Sequence, residues 1–115
     1  MGNYFKLLLE RKVNEAEREL SRIRDEKRIE GGRSSEWREG FLKALEGLLL
    51  VQKNPDDKYL FFNKNQFTKR DLRDLRRRFL KHSENELHAD YDRGYFSCMA
   101  EYAKALEREV AKGES

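Results

Sequence analysis

The chain is 115 residues long, which is the length of one domain with a modest core. Charged residues make up 41% of it and apolar residues 37%, and no apolar run approaches the ~18 residues of a membrane-spanning helix, which excludes an integral membrane protein. Many charges with only two glutamines is a composition typical of thermophile proteins. One cysteine excludes an internal disulfide and there is no cleavable signal pattern, so we expect a cytoplasmic protein with no membrane partner.

The first helix is predicted to begin after Asn3, a suitable N-cap, and to end at Gly31-Gly32. Its apolar residues recur at spacings of three and four and form one stripe: Phe5, Leu9, Val13, Ala16, Leu20 and Ile23. From Leu9 onward this is the spacing of a heptad repeat, sustained over about two heptads. The pattern predicts either one arm of a helical hairpin or a seam between two chains. The hairpin is favoured, because a free coiled coil needs at least three heptads or so.

The stretch from Ser35 to Lys53 is predicted as the second helix, capped by the serines at its start and antiparallel to the first. One of its faces consists of small residues, which let another helix approach closely: Gly40, Ala44, Gly47 and Val51. An offset of 54 residues relates this helix to a later segment of similar residue classes. The related pairs include Trp37 with Tyr91 and Gly40 with Gly94. The pattern indicates either a tandem duplication or two unrelated amphipathic helices that reuse the same residue types.

A turn is predicted at residues 54–57, where Pro55 is followed by two aspartates. The segment after it is rich in aromatic residues, namely Tyr59, Phe61, Phe62 and Phe67. We interpret residues 55–67 as an aromatic loop. Its rings either close one end of the core or form a docking surface, and the first is favoured because exposed aromatic clusters are uncommon on monomers.

Thr68 and Asp71 form a capping-box pattern, which predicts a third helix from Lys69. The apolar stripe of that helix consists of Leu72, Leu75 and Phe79. A second capping-box pattern at Ser83 and Glu86 predicts a separate fourth helix, with one continuous helix as the alternative.

These elements predict an all-α fold. Residues 1–54 form a first helical hairpin, residues 55–67 the aromatic loop, and residues 68–115 a second helical hairpin. We expect the two antiparallel hairpins to pack as a four-helix bundle within a single domain, with a tandem duplication as its origin if the offset is genuine.

Basic charge is concentrated in one part of the chain. Residues 58–82 carry nine Lys or Arg and two Asp, whereas residues 83–115 carry four basic and eight acidic residues. The candidate binding residues lie on or beside one face of the predicted third helix: Lys69, Arg70, Arg73, Arg76, Arg77 and Lys81. Arginine forms bidentate contacts with phosphate, so this stripe can bind RNA, DNA or an acidic protein. The alternative is a solvated face, or one that the acidic C-terminal segment neutralises.

Residues capable of catalysis form no recognisable pattern. Cys98 falls on the predicted core face, where a structural thiol is expected rather than a nucleophile. Glu84, His88 and Asp92 are spaced four residues apart, but they need further ligands to hold a metal ion. His82 and His88, six residues apart, do not share a helical face well. We therefore expect no enzyme activity, no cofactor and no metal site.

The sequence favours a non-catalytic helical interaction module that associates with itself, most simply as a dimer. The residues expected at that interface combine the heptad stripe with two helical glycines: Leu9, Val13, Ala16, Leu20, Ile23, Gly40 and Gly94. The alternative is a nucleic-acid-binding protein that uses the third helix. The two hypotheses are compatible, because a dimer would double the basic surface.

Overall fold

The computed structural model describes residues 2–25, 32–53 and 68–113, which form five α-helices. They are α1 (Gly2–Leu9), α2 (Val13–Asp25), α3 (Ser35–Lys53), α4 (Lys69–Glu84) and α5 (Asp90–Gly113). The prediction of an all-α chain is confirmed for these residues, although five helices replace the four expected. None of the five combines the length and apolarity of a membrane span. The predicted aromatic loop at residues 55–67 lies outside the described residues.

The predicted first helix is in fact two helices, which corrects the idea of one continuous heptad stripe. α1 ends at Leu9 in a Schellman turn, in which the Arg11 amide donates to the Leu8 carbonyl (3.0 Å) and the Lys12 amide to the Leu7 carbonyl (2.9 Å). Arg11 has φ 59°, the left-handed conformation that glycine usually supplies at this position. The chain therefore changes direction in the middle of the predicted stripe.

A helix cap explains where α3 begins. Ser34 caps α3, because its Oγ accepts a hydrogen bond from the Trp37 amide (3.1 Å). Two predicted caps are wrong. Asn3 lies inside α1, and Ser83 lies inside α4, where its hydroxyl donates to the carbonyl three residues earlier (2.8 Å). The third and fourth predicted helices, α4 and α5, are nevertheless separate, and α5 begins at Asp90.

α3 and α5 cross in direct backbone contact through two glycines. A Cβ atom on Gly40 would lie 1.9 Å from the Tyr91 carbonyl oxygen, and a Cβ atom on Gly94 would lie 1.9 Å from the Trp37 carbonyl oxygen. Neither position has room for a methyl group, so each glycine lets one helix rest on the backbone of the other. These four residues are the pairs related by the offset of 54, and the two helices thus meet through equivalent positions.

α5 is the central helix, since it packs against α1, α3 and α4. It runs in the same direction as α3. At the beginnings of the two helices the Ser34 hydroxyl donates to an Asp90 carboxylate oxygen (2.7 Å), and further along Gln52 of α3 hydrogen-bonds Tyr102 of α5. Burial raises the pKa of Tyr102 to about 12.

α1 covers the core where α3 and α5 meet. The Tyr4 side chain is fully buried, and its hydroxyl donates to the Leu45 carbonyl of α3 (2.7 Å). Burial raises the pKa of this phenol well above its ordinary value. Phe5 packs edge-on against Tyr102 of α5, with ring centroids 5.5 Å apart. The core draws apolar side chains from all five helices.

The residues predicted at an interface between chains lie in or against the core of this one chain. Ala16, Leu20 and Ile23 of α2 are buried, and the partly buried Leu9 and Val13 pack against the core. The two predicted interface glycines form the crossing of α3 and α5. The apolar stripe that motivated a dimer is therefore used by the fold itself, and self-association stays a prediction.

Candidate nucleic-acid interface

α4 begins at a capping box, as predicted. The Asp71 amide donates to the Thr68 hydroxyl oxygen (3.1 Å), and the Thr68 amide donates to an Asp71 carboxylate oxygen (3.0 Å). Hydrogen bonds from the Thr68 backbone and side chain hold the pKa of Asp71 below its ordinary value. Farther along, Leu72 is buried, and Leu75 and Phe79 pack against the core. The opposite side of α4 therefore faces outward.

The outward side of α4 carries four exposed cations that we call the outer basic face: Arg70, Arg77, Arg78 and Lys81. Arg70, Arg77 and Lys81 are spaced seven and four residues apart, so they share one side of the helix, with Arg78 beside them. Among the described residues, none of these four cations has a carboxylate oxygen within 4.0 Å, the limit for an ion pair. An anionic ligand could therefore bind this face without displacing an internal partner.

Two of the predicted binding residues turn toward α5 instead. The Arg73 Nε donates to the Glu107 Oε1 at 3.5 Å, and the Arg76 Nε lies 3.7 Å from the Glu107 Oε2. At the other end of α4, the Arg93 Nε of α5 donates to the Ser83 carbonyl (2.9 Å), so the two helices run antiparallel. For this part of the stripe, the acidic C-terminal segment does supply an internal partner.

Lys69, the remaining predicted residue, lies in a cleft of about 200 Å³ between α4 and α5. The lining of this α4–α5 cleft consists of Lys69, Arg76, Lys104, Glu107, Arg108 and Ala111. Sequence reasoning missed Lys104 and Arg108 because they belong to a segment of net negative charge. Their spacing of four residues is the signal that could have found them, since it places both on one side of α5.

The two histidines of the chain meet at the C-terminal end of α4. The His82 Nδ1 lies 3.1 Å from the His88 Nε2, and the His82 ring stacks on Phe96 with centroids 4.8 Å apart. The two histidines do not share a helix, and they meet because His88 lies in the turn that follows α4. The two nitrogens are within hydrogen-bond distance, and the tautomer of each ring decides which of them donates. In the described part of the chain, no three candidate ligands gather around a metal position.

Cys98 lies on α5, and its side chain is fully buried in the core. Burial, with Glu101 nearby, raises the pKa of its thiol well above the ordinary value. The thiolate that a nucleophile requires is therefore disfavoured at this position.

A comparison of the chain with protein-family models, with curated proteins and with solved structures finds no match.

Proposed function

We propose that this chain is a non-catalytic helical module that binds nucleic acid through the outer basic face of α4. The observation that carries the proposal is the set of four exposed cations with no ion-pair partner among the described residues. Arginine guanidinium groups match the geometry of phosphate oxygens, and contacts of this kind position a strand without reading its sequence. We therefore expect binding with little sequence preference.

The salt dependence of binding follows from the number of cations. Four phosphate contacts predict a slope of log K against log salt of roughly −3.6 on duplex DNA and about −2.8 on a single strand. Raising the salt concentration fourfold, from about 50 to 200 mM, should then weaken binding roughly 150-fold on duplex and about 50-fold on a single strand. A solvated face with no ligand would show no binding at the lower concentration.

A titration against RNA and DNA, single-stranded and duplex, at these two salt concentrations tests the proposal. Replacing Arg70 and Arg77 together with alanine should weaken binding and reduce the duplex slope by about 1.8, because two phosphate contacts are lost. The matched control replaces the exposed Lys6 and Arg18, on α1 and α2, with alanine and removes the same charge. Circular dichroism should show both variants folded. Equal binding by the two double variants would contradict the proposal.

Self-association is a second candidate, and it is favoured by exposed apolar side chains near the start of α5. Leu87 is 94% exposed in the turn before the helix, and Tyr91, four residues later, is 38% exposed. Exposed apolar groups of this kind often mark protein interfaces. If the chain dimerises there, Leu87→Ser should shift sedimentation toward monomer, whereas Leu50→Ser, on α3 and also exposed, should not. A parent chain that sediments as a monomer at high concentration removes this candidate.

We also infer that the fold is a pair of related hairpins that arose by duplication. Support comes from the crossing, where Gly40 and Gly94 play the same part against Tyr91 and Trp37. In related chains from other species, the offset of 54 residues between these pairs should persist. Its loss in chains that keep both helices would count against a common origin.

A further inference from the structure

The α4–α5 cleft gathers positive charge around one opening. Lys69 and Arg76 reach it from α4, and Lys104 and Arg108 reach it from α5. With Glu107 as the one carboxylate of its lining, the cleft has a net charge of +3. Its volume of about 200 Å³ is enough for a small anion. The opening lies on the side of α4 next to the outer basic face, from which it is distinct.

Glu107 faces two arginines of α4, of which Arg76 lines the cleft. Its side chain is 13% exposed, and its carboxylate faces the Nε atoms of Arg73 (3.5 Å) and Arg76 (3.7 Å). An arginine held through Nε keeps its two terminal nitrogens for a ligand. The Arg76 Nε and the Glu107 Oε2 are themselves buried without a hydrogen-bond partner in the described part of the chain. They face each other at 3.7 Å, beyond hydrogen-bond distance, so they pair by charge alone.

The charge and shape of the cleft indicate the class of anion. A phosphomonoester carries about −1.5 to −2 charges at neutral pH and three free oxygens, which suits cations that converge from two helices. An internal phosphodiester carries a single charge and is flanked by sugars on both sides, so it suits the convex outer basic face better. A carboxylate would leave most of the charge in the cleft unmatched.

We propose that the α4–α5 cleft binds one phosphate group, supplied by the phosphorylated end of a nucleic-acid strand. The identity of the strand rests on the function proposed above, whereas the phosphate site itself does not. The strand then continues from the cleft onto the outer basic face, which holds its internal phosphates. The chain thereby distinguishes phosphorylated ends from hydroxyl ends.

Binding to one short oligonucleotide in three forms tests this proposal: with a 5′-phosphate, with a 3′-phosphate and with two hydroxyl ends. The parent should bind at least one phosphorylated form about tenfold more tightly than the hydroxyl form. Inorganic phosphate, compared with chloride at equal ionic strength, should bind and abolish that advantage. Replacing Lys104 and Arg108 with alanine should remove both the preference and inorganic phosphate binding.

The controls separate the cleft from the outer basic face. The alanine variant of Arg70 and Arg77 should lose affinity for all three forms but keep inorganic phosphate binding. Lys104 and Arg108 are exposed, so their variant should keep the parent's unfolding midpoint, and Lys104→Gln alone should show a partial loss. If the parent binds all three oligonucleotide forms equally and does not bind inorganic phosphate, the phosphate site in the cleft is refuted and the proposed function still stands. If the parent binds inorganic phosphate but no oligonucleotide, the proposed function is refuted and the phosphate site still stands. A full preference in the Lys104 and Arg108 variant would overturn the assignment to these residues.

Discussion

Gly40→Ala tests how strongly the fold depends on the close crossing of α3 and α5. The added Cβ would lie 1.9 Å from the Tyr91 carbonyl oxygen and 2.7 Å from its carbonyl carbon. Both are backbone atoms of α5, so no side-chain rotation makes room. Ordinary contacts of a Cβ atom begin at 3.4 Å, so the helices must separate locally by about 1.5 Å.

The free-energy cost follows from that separation. A gap of roughly 0.5–1 Å already removes a quarter to a half of the dispersion energy of a contact, and Trp37, Phe41 and Ala44 beside the crossing are all buried. Overpacking of this kind costs about 3–4 kcal/mol at the severe end of its range, and the better helix propensity of alanine returns about 1 kcal/mol. We expect a net loss of about 2–3 kcal/mol, which lowers the unfolding midpoint by about 10–20 °C.

Thermal and urea unfolding followed by circular dichroism measure this loss. The matched control is Gly47→Ala on the same helix, where an added Cβ meets nothing within 4 Å and should stabilise the protein by up to about 1 kcal/mol. Gly94→Ala should cost as much as Gly40→Ala. The double variant should cost less than the sum, because one separation accommodates both methyl groups. If Gly40→Ala were as stable as Gly47→Ala, the reasoning would be refuted.

Three further predictions concern single residues. Arg11→Gly should raise the free energy of unfolding by about 0.5–1 kcal/mol, because φ 59° is strained for arginine but not for glycine, and an unchanged value would contradict the strain. The Cys98 thiol, buried and with a raised pKa, should react with a maleimide only as fast as the protein opens, and labelling at the rate of a free thiol would count against its burial. The pKa of Asp71 is lowered from 3.8 in the folded state, so its contribution to stability is present above that pH and is lost as the pH falls below it. Asp71→Asn should therefore lose less stability than the parent on acidification from about pH 6 to 2, and parallel stability curves would contradict this.

Local features of the fold were predictable because they depend on adjacent residues. The start of α4 followed from the Thr68 capping box, and α3 spans the predicted stretch from Ser35 to Lys53. The break between α1 and α2 was not predictable, because it rests on a left-handed Arg11. No glycine or proline stands between Asn3 and Glu30 to indicate a turn, and the apolar spacing continues through Arg11.

The candidate site was predictable only in part, for a different reason. Helical periodicity placed the basic residues on or beside one face, but it could not show that Arg73 and Arg76 lie on the flank that meets Glu107. That depends on the rotation of α4 in the fold. Lys104 and Arg108 line the cleft because α5 packs antiparallel to α4. The net charge of each segment, counted separately, gives no information about that packing.

The position of α5 has a consequence for the order of folding during synthesis. This helix contacts α1, α3 and α4, yet it follows all of them in the sequence. When α1 leaves the ribosome, Phe5 lacks the α5 ring that it packs against until Tyr102 has been made. The crossing glycine of α3 likewise waits for its counterpart on α5. The earlier helices therefore emerge without the helix that covers the sides they turn toward it, and the core closes only after translation has reached α5.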